Sequence, residues 1–314
     1  MTVLVILEKF SRFLVVWVIL SVIVGFLFPA VFVALKSYTD WFFALTMFGI
    51  GCLLSFNDFK PIFLRPRLVI IGTLAQFLIM PFLALLITKI MVLPPALAVG
   101  LILAAAVPDA MAAGVMSYLA EADVALSVAL TTSTTLVSPL VTPTLTYFLG
   151  KQYVPIQFWS LVQSILLMVI FPLLVGLVFK HRFSLRVSRI KPVFPALSTT
   201  FIAFICGLVV ALNKEALSKV SGIIFLAVIV LNVGGLLLGY GVGRLLGFGI
   251  AQRRTIAINV GMQNAGMGAV LALKHINQAA AIPNALFATW CIVSAAILAG
   301  FWSKKKLFSL QFNR

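Results

Sequence analysis

The sequence predicts an all-α polytopic membrane protein of ten transmembrane helices, and three observations predict it: hydropathy, the lengths of the apolar runs and the placement of the charges. Of 314 residues, 63% are hydrophobic and 10% charged, and the mean hydropathy is +1.20. A water-soluble domain carries far more charge, so the solvent this composition demands is lipid. An apolar helix of about 20 residues covers the roughly 30 Å hydrocarbon layer.

Ten apolar runs follow in order: 13–34, 41–54, 68–88, 96–119, 124–149, 158–179, 194–212, 222–246, 255–273 and 282–301. They are continuously apolar and none alternates with period two, which selects helices over barrel strands. The first run follows Lys9 and Arg12 as a signal peptide would, but it is long and lacks a small-residue cleavage site, so it is expected to be the first span. Cys52, Cys206 and Cys291 all lie inside apolar runs as small hydrophobes, with no metal or disulfide spacing. No cofactor is expected.

The formal charge is +16, which could indicate nucleic acid, yet the positive-inside rule accounts for it. With the N-terminus in the cytoplasm, Lys9, Arg12, Lys60, Arg65, Arg67, Lys180, Arg182, Arg186, Arg189, Lys191, Arg244, Arg253, Arg254, Lys304, Lys305, Lys306 and Arg314 fall inside, 17 of 23. Lys36, Lys89, Lys151, Lys214, Lys219 and Lys274 are left for the other face. The basic excess is therefore topogenic. Both termini are expected in the cytoplasm of a cell (inner) membrane protein whose surroundings are the lipid bilayer, with no nucleic acid and no obligate protein partner.

A cut near 150–155 leaves five runs on each side, giving repeats at 1–153 and 154–314 with no soluble domain. Five is odd, so two such halves lie inverted in the membrane, an arrangement transporters use for alternating access. The segments DAMAAGVMSYLA (109–120) and GMQNAGMGAVLA (261–272) share Ala, Gly, Leu and Ala in register, each in the fourth run of its half.

Both of these runs are interrupted. Pro108 removes a backbone donor beside Asp109, and Gly114 follows. In the ninth run Gly261, Gly266 and Gly268 surround Gln263 and Asn264. Paired breaks at matching positions point to a midplane binding site, where unwound carbonyls and half-helix ends meet ions and polar solutes. Glycine that merely lets helices pack closely is the plainer alternative for either run alone. Asp109 is the one carboxylate placed inside a run, where a charge is costly unless paired, hydrated or protonated. Gln76, Ser127, the Thr131 to Thr135 cluster, Asn259, Gln263 and Asn264 supply further polar groups.

Four stretches carry a resemblance: FGIGCLLSFNDF (48–59), RPRLVIIGTLAQFLIMP (65–81), ALSVALTTSTTLVSPLVTP (125–143) and NVGMQNAG (259–266). Through them the whole chain resembles the bile acid:sodium symporter family. The resemblance implies two inverted five-helix repeats, a panel domain (first, second, sixth and seventh spans), and a core domain in which the broken fourth and ninth helices cross. It also implies a symporter of bile-acid-like compounds or small organic acids such as pantothenate precursors, with sodium as the coupling ion.

By position, the resemblance places one sodium site at Ser127, Thr131, Ala113, Gly114 and Asn259. The other draws on Gln76, Asn259, Val260, Met262 and Gln263, and of this set Gln76, Asn259 and Gln263 form a weak sodium site. Substrate is expected at Asn264, Thr131, Thr132 and Asp109. The chain departs from its relatives, which usually carry glutamate at the position of Asn259, serine and asparagine at Ala113 and Gly114, and Gly-Gly at Asp109-Ala110. A neutral amide weakens a cation site, and Asp109 is expected to restore the charge as a sodium ligand or a proton carrier. Proton coupling or an uncoupled facilitator is the alternative, and a channel would need a continuous polar lining. With one intramembrane aspartate and no HExxH motif, no enzymatic activity is expected.

Overall fold

The computed structural model describes residues 4, 6, 7, 10, 11, 13–215 and 222–312, with backbone only from 304 onward. Lys9, Arg12, Lys219 and Arg314 of the charge pattern lie outside the described residues, as do the side chains of Lys304, Lys305 and Lys306. The regular elements are helices: α1 (Leu14–Leu27), α2 (Pro29–Ala34), α3 (Thr39–Leu53), α4 (Lys60–Leu64), α5 (Pro66–Ile90), α6 (Pro95–Ala106), α7 (Ala113–Leu119) and α8 (Val124–Gly150). The second half adds α9 (Phe158–Ile165), α10 (Phe171–Arg182), α11 (Ser184–Arg189), α12 (Val193–Leu212), α13 (Ile223–Leu245), α14 (Ile250–Gly261), α15 (Ala265–His275) and α16 (Ala281–Phe312).

All ten apolar runs fall on helix, but only six described helices are long and apolar enough to cross a membrane uninterrupted. These are α5, α8, α9 with α10 through a π turn at Leu166–Ile170, α12, α13 and the Ala281–Ser303 portion of α16. The other four runs are short or broken for local reasons. Pro29 forces Phe28 out of helical geometry (φ −126°, ψ 63°), splitting α1 from α2. Run 41–54 is the 15-residue α3, after which the chain bends by 86° into Phe56–Leu64. The fourth and ninth runs are interrupted at 107–112 and 262–264.

Helix α5 shows how lipid is written into the sequence. Ile70, Leu74, Leu78, Phe82 and Leu86 recur every fourth residue and are 52–56% exposed, a wholly apolar stripe that water would not tolerate. Its opposite face buries Gly72, Ala75, Gln76, Met80 and Ala84. Helix α8 inverts the logic. Ser127, Thr131, Thr134, Ser138 and Thr142 form one buried hydroxyl stripe turned toward the two broken helices. Pro139 cannot donate to the Thr135 carbonyl, and the Ser138 hydroxyl does so instead, at 2.7 Å.

The helices sort into two packed groups. In one, α3 lies along α10 and α12, and α12 along α1; in the other, α13 packs on α14 and α5, and α6 on α5 and α8. The α3–α10 contact is backbone to backbone. A Cβ on Gly51 would lie 2.1 Å from the Leu173 carbonyl oxygen, and one on Gly176 2.1 Å from that of Phe48. By contrast, a Cβ on Gly241 of α13 meets nothing within 4 Å. Gly176→Ala is therefore expected to destabilise the fold by about 1–3 kcal/mol, read as a lower unfolding temperature in detergent micelles. Gly241→Ala is expected to leave that temperature unchanged or raised, because alanine is the better helix former.

Candidate functional site

Both interrupted helices end in extended residues, Val107 (φ −70°, ψ 159°) after α6 and Met262 (φ −107°, ψ 119°) after α14. Extended backbone cannot satisfy itself, and in a membrane interior water does not do so either. The two segments satisfy each other. Asp109 and Gln263 form an antiparallel bridge, with the Ala110 amide donating to the Met262 carbonyl at 2.9 Å and the Asn264 amide to that of Pro108 at 2.8 Å. The breaks thus cross at a single hydrogen-bonded point.

Side chains take up the carbonyls that the interrupted helices leave free. Thr142 donates to Ala106 at 2.8 Å, Asn232 to Gly261 at 2.8 Å, and Gln263 to Val260 at 2.8 Å. Gln76 on α5 donates to the Gln263 side-chain oxygen at 2.6 Å, with a longer contact of 3.4 Å to the Val107 carbonyl. Gln76 Oε1 itself is buried with no hydrogen-bond partner among the described residues.

On the α8 side, the Asp109 carboxylate is 1% exposed. Its Oδ2 accepts from Thr131 at 2.9 Å and its Oδ1 from Thr134. It belongs to neither the Arg65–Asp123 nor the Lys274–Asp40 ion pair. Thr131 Oγ1 also lies 3.3 Å from Asn259 Oδ1, which is 3.3 Å from Ser127 Oγ. A hydroxyl has one proton to give, so Thr131 cannot donate to both oxygens at once. The result is a buried crowd of hard oxygens that includes one carboxyl group, a donor set that suits a monovalent cation.

The structure therefore brings Asp109, Ser127, Thr131 and Asn259 into one cluster, and Gln76, Gln263 and the Val260 carbonyl into another beside it. Other expected residues lie elsewhere. Gly114 and Gly266, expected at the breaks, sit instead in the first turns of α7 and α15, and neither has positive φ. Pro108 and Gly261 do flank the interruptions. Ala113 opens α7, Met262 is fully buried, and Asn264 uses its side chain to cap α15 by accepting from the Met267 amide at 3.2 Å. Thr132 is buried with an unpartnered hydroxyl among the described residues.

Two contributors are not singled out by the sequence. Thr134 stands there only within a threonine cluster, although its spacing from Thr131 places both on one helix face. Asn232, the sole asparagine of the eighth run, carries the signal of an amide inside an apolar helix.

Comparison with known proteins bears on the chain as a whole. Residues 41–220 match the profile of the Sodium Bile acid symporter family. The chain is similar to the "Uncharacterized sodium-dependent transporter YocS" of Bacillus subtilis (strain 168), 40% identical over 291 residues, 92% of this chain and 90% of the relative. It is also similar to the "Probable sodium/metabolite cotransporter BASS1, chloroplastic" of Arabidopsis thaliana, 33% identical over 299 residues, 95% of this chain and 75% of the relative.

Gln76→Leu leaves the Gln263 side-chain oxygen and the Val107 carbonyl without this donor. It is expected to cost about 1–3 kcal/mol, seen as a lower unfolding temperature in micelles, whereas Gln152→Leu on the surface is expected to leave it within error.

Proposed function

Since the chain belongs to the Sodium Bile acid symporter family, a family of transporters and not of enzymes, we propose that it is a secondary active symporter of small organic anions. Alternating access carries the solute past the crossed breaks, and a cation bound beside Asp109 drives it. Bile-acid-like compounds and small organic acids of the pantothenate-precursor type are the cargo this reading assigns. The named relatives, a sodium-dependent transporter and a sodium/metabolite cotransporter, support sodium as the coupling ion.

One observation carries the proposal. A buried carboxylate, hydroxyls from α8 and the Asn259 amide converge where two interrupted helices are hydrogen-bonded to each other. A charge this deep is tolerated when it has work to do. The cation ligands in this reading are Asp109, Ser127, Thr131 and Asn259, with Gln76, Gln263 and the Val260 and Met262 backbone forming a neutral second set. The unpartnered Gln76 Oε1 supports that second set.

The ten-span arrangement, with inverted repeats at 1–153 and 154–314, belongs to the same reading. It is supported by interrupted helices in the fourth run of each half that meet at one point. Interrupted helices satisfied by protein rather than lipid are the form in which irregular backbone exists at membrane depth. Cytoplasmic termini are supported by the charge pattern of the sequence, in keeping with which Arg65, Asp123, Arg254 and Ala120 gather in one place and Lys36, Asp40 and Lys274 in another.

Proteoliposomes carrying an inward sodium gradient test the reading, with radiolabelled taurocholate and pantoate as probes. The wild type is expected to concentrate at least one of them and to lose that capacity when a sodium ionophore collapses the gradient. Asp109→Asn is expected to lower gradient-driven uptake by about tenfold or more, as follows from removing the only charge of the cluster, while solute exchange persists. Undiminished concentrative uptake by Asp109→Asn would overturn the role of that carboxylate. Uptake indifferent to every cation would replace the symporter with a facilitator.

A further inference from the structure

Helix α15 begins at the crossed breaks, and its last turn is tied to α3 and to α9. Lys274 Nζ lies 2.5 Å from Asp40 Oδ2 at the start of α3. The next residue, His275, meets Ser160 Oγ through Nδ1 at 3.2 Å and Ser164 Oγ through Nε2 at 2.8 Å, both on α9. At this seam lies a pocket of about 470 Å³ lined by Val33, Lys36, Asp40, Val270, Leu273 and Lys274. That volume falls within the range of small-molecule sites.

Its charges do not cancel. Lys36 and Lys274 face Asp40, the single carboxylate among the lining residues, and Lys36 belongs to neither the Arg65–Asp123 nor the Lys274–Asp40 pair. Burial and then the Lys274 charge push His275 below the ordinary histidine value against the opposing pull of Asp40, so it adds no charge at neutral pH. The Lys274–Asp40 pair is itself 40% and 39% exposed, and ion pairs this open to water exchange partners readily.

We propose that this pocket is an entry site for an organic carboxylate. The carboxylate group lies between the ammonium groups of Lys36 and Lys274, the apolar body of the solute lies against Val33, Val270 and Leu273, and Asp40 is displaced from Lys274. Binding therefore does two things: it concentrates anions at the seam between the helix groups, and it unties α15 from α3. The inference rests on the reading that the cargo is an organic anion.

Initial rates of pantoate and taurocholate uptake by proteoliposomes test it, in the wild type, K36Q, K36Q/K274Q and D40N. The double variant is expected to raise KM about tenfold, with kcat within about twofold, because lost attraction acts on capture. K36Q, which leaves the ion pair in place, is expected to raise KM in the same direction by a smaller factor, and it answers the question if the double variant folds poorly. D40N is expected to lower KM, since the internal competitor is gone. Normal uptake with KM unmoved in K36Q and the double variant, or a KM that does not fall in D40N, overturns the entry site alone. A wild type that accumulates neither anion overturns the transporter reading and the entry site with it.

Discussion

Two backbone hydrogen bonds hold this molecule's architecture in place, from Ala110 to Met262 and from Asn264 to Pro108. An unpaired amide or carbonyl in a medium without water costs several kcal/mol, so neither interrupted helix is tolerable alone. Brought together, each break offers the donor and the acceptor that the other lacks. The remaining exposed carbonyls then dictate chemistry elsewhere: Thr142 on α8, Asn232 on α13 and Gln263 beside the bridge each point a donor at one of them. Polar side chains scattered over distant stretches of sequence thus share one cause.

That cause explains what could be read in advance and what could not. Pro108 announces its break because proline removes a donor wherever it stands, and Asp109 stands out because a carboxylate in an apolar run has few innocent explanations. Glycine is a poorer guide. Gly114 and Gly266 lie in the first turns of helices, where a Cβ would meet only ordinary van der Waals contacts, so glycine in an apolar run marks neither a break nor a close approach by itself. Asn232 was visible as an amide inside an apolar run but its role was not: its partner is a carbonyl 29 residues away, and no local periodicity encodes a contact with backbone. Helix lengths fell between these cases. The apolar runs located the long helices and missed the short α4 and α11, and Phe28 divides a run that hydropathy alone presents as continuous.

The two ends of the broken helices are finished differently. Where α14 begins, Arg65 pairs with Asp123, Arg254 donates to the Ala120 carbonyl and Arg253 to that of Phe248. Guanidinium groups hold such geometries firmly through planar, multiple donors. Where α15 ends, a lysine ammonium reaches α3 and a neutral imidazole reaches α9. A flexible stem with a strongly hydrated head makes a contact that is easily surrendered. Firm staples within one group and light ties between groups are what relative movement of the groups requires.

Helix α15 runs as an unbroken rod of 11 residues from the crossing to those ties, about 16 Å at the usual helical rise. Its geometry is that of a lever, with its fulcrum at the hydrogen-bonded crossing and its far end held by the contacts of Lys274 and His275. A tilt of about 10° at the fulcrum sweeps that end through about 3 Å over this length, as far as the Lys274–Asp40 contact is long. A tilt of that size would be enough, at the lever's far end, to pull an ammonium away from its carboxylate.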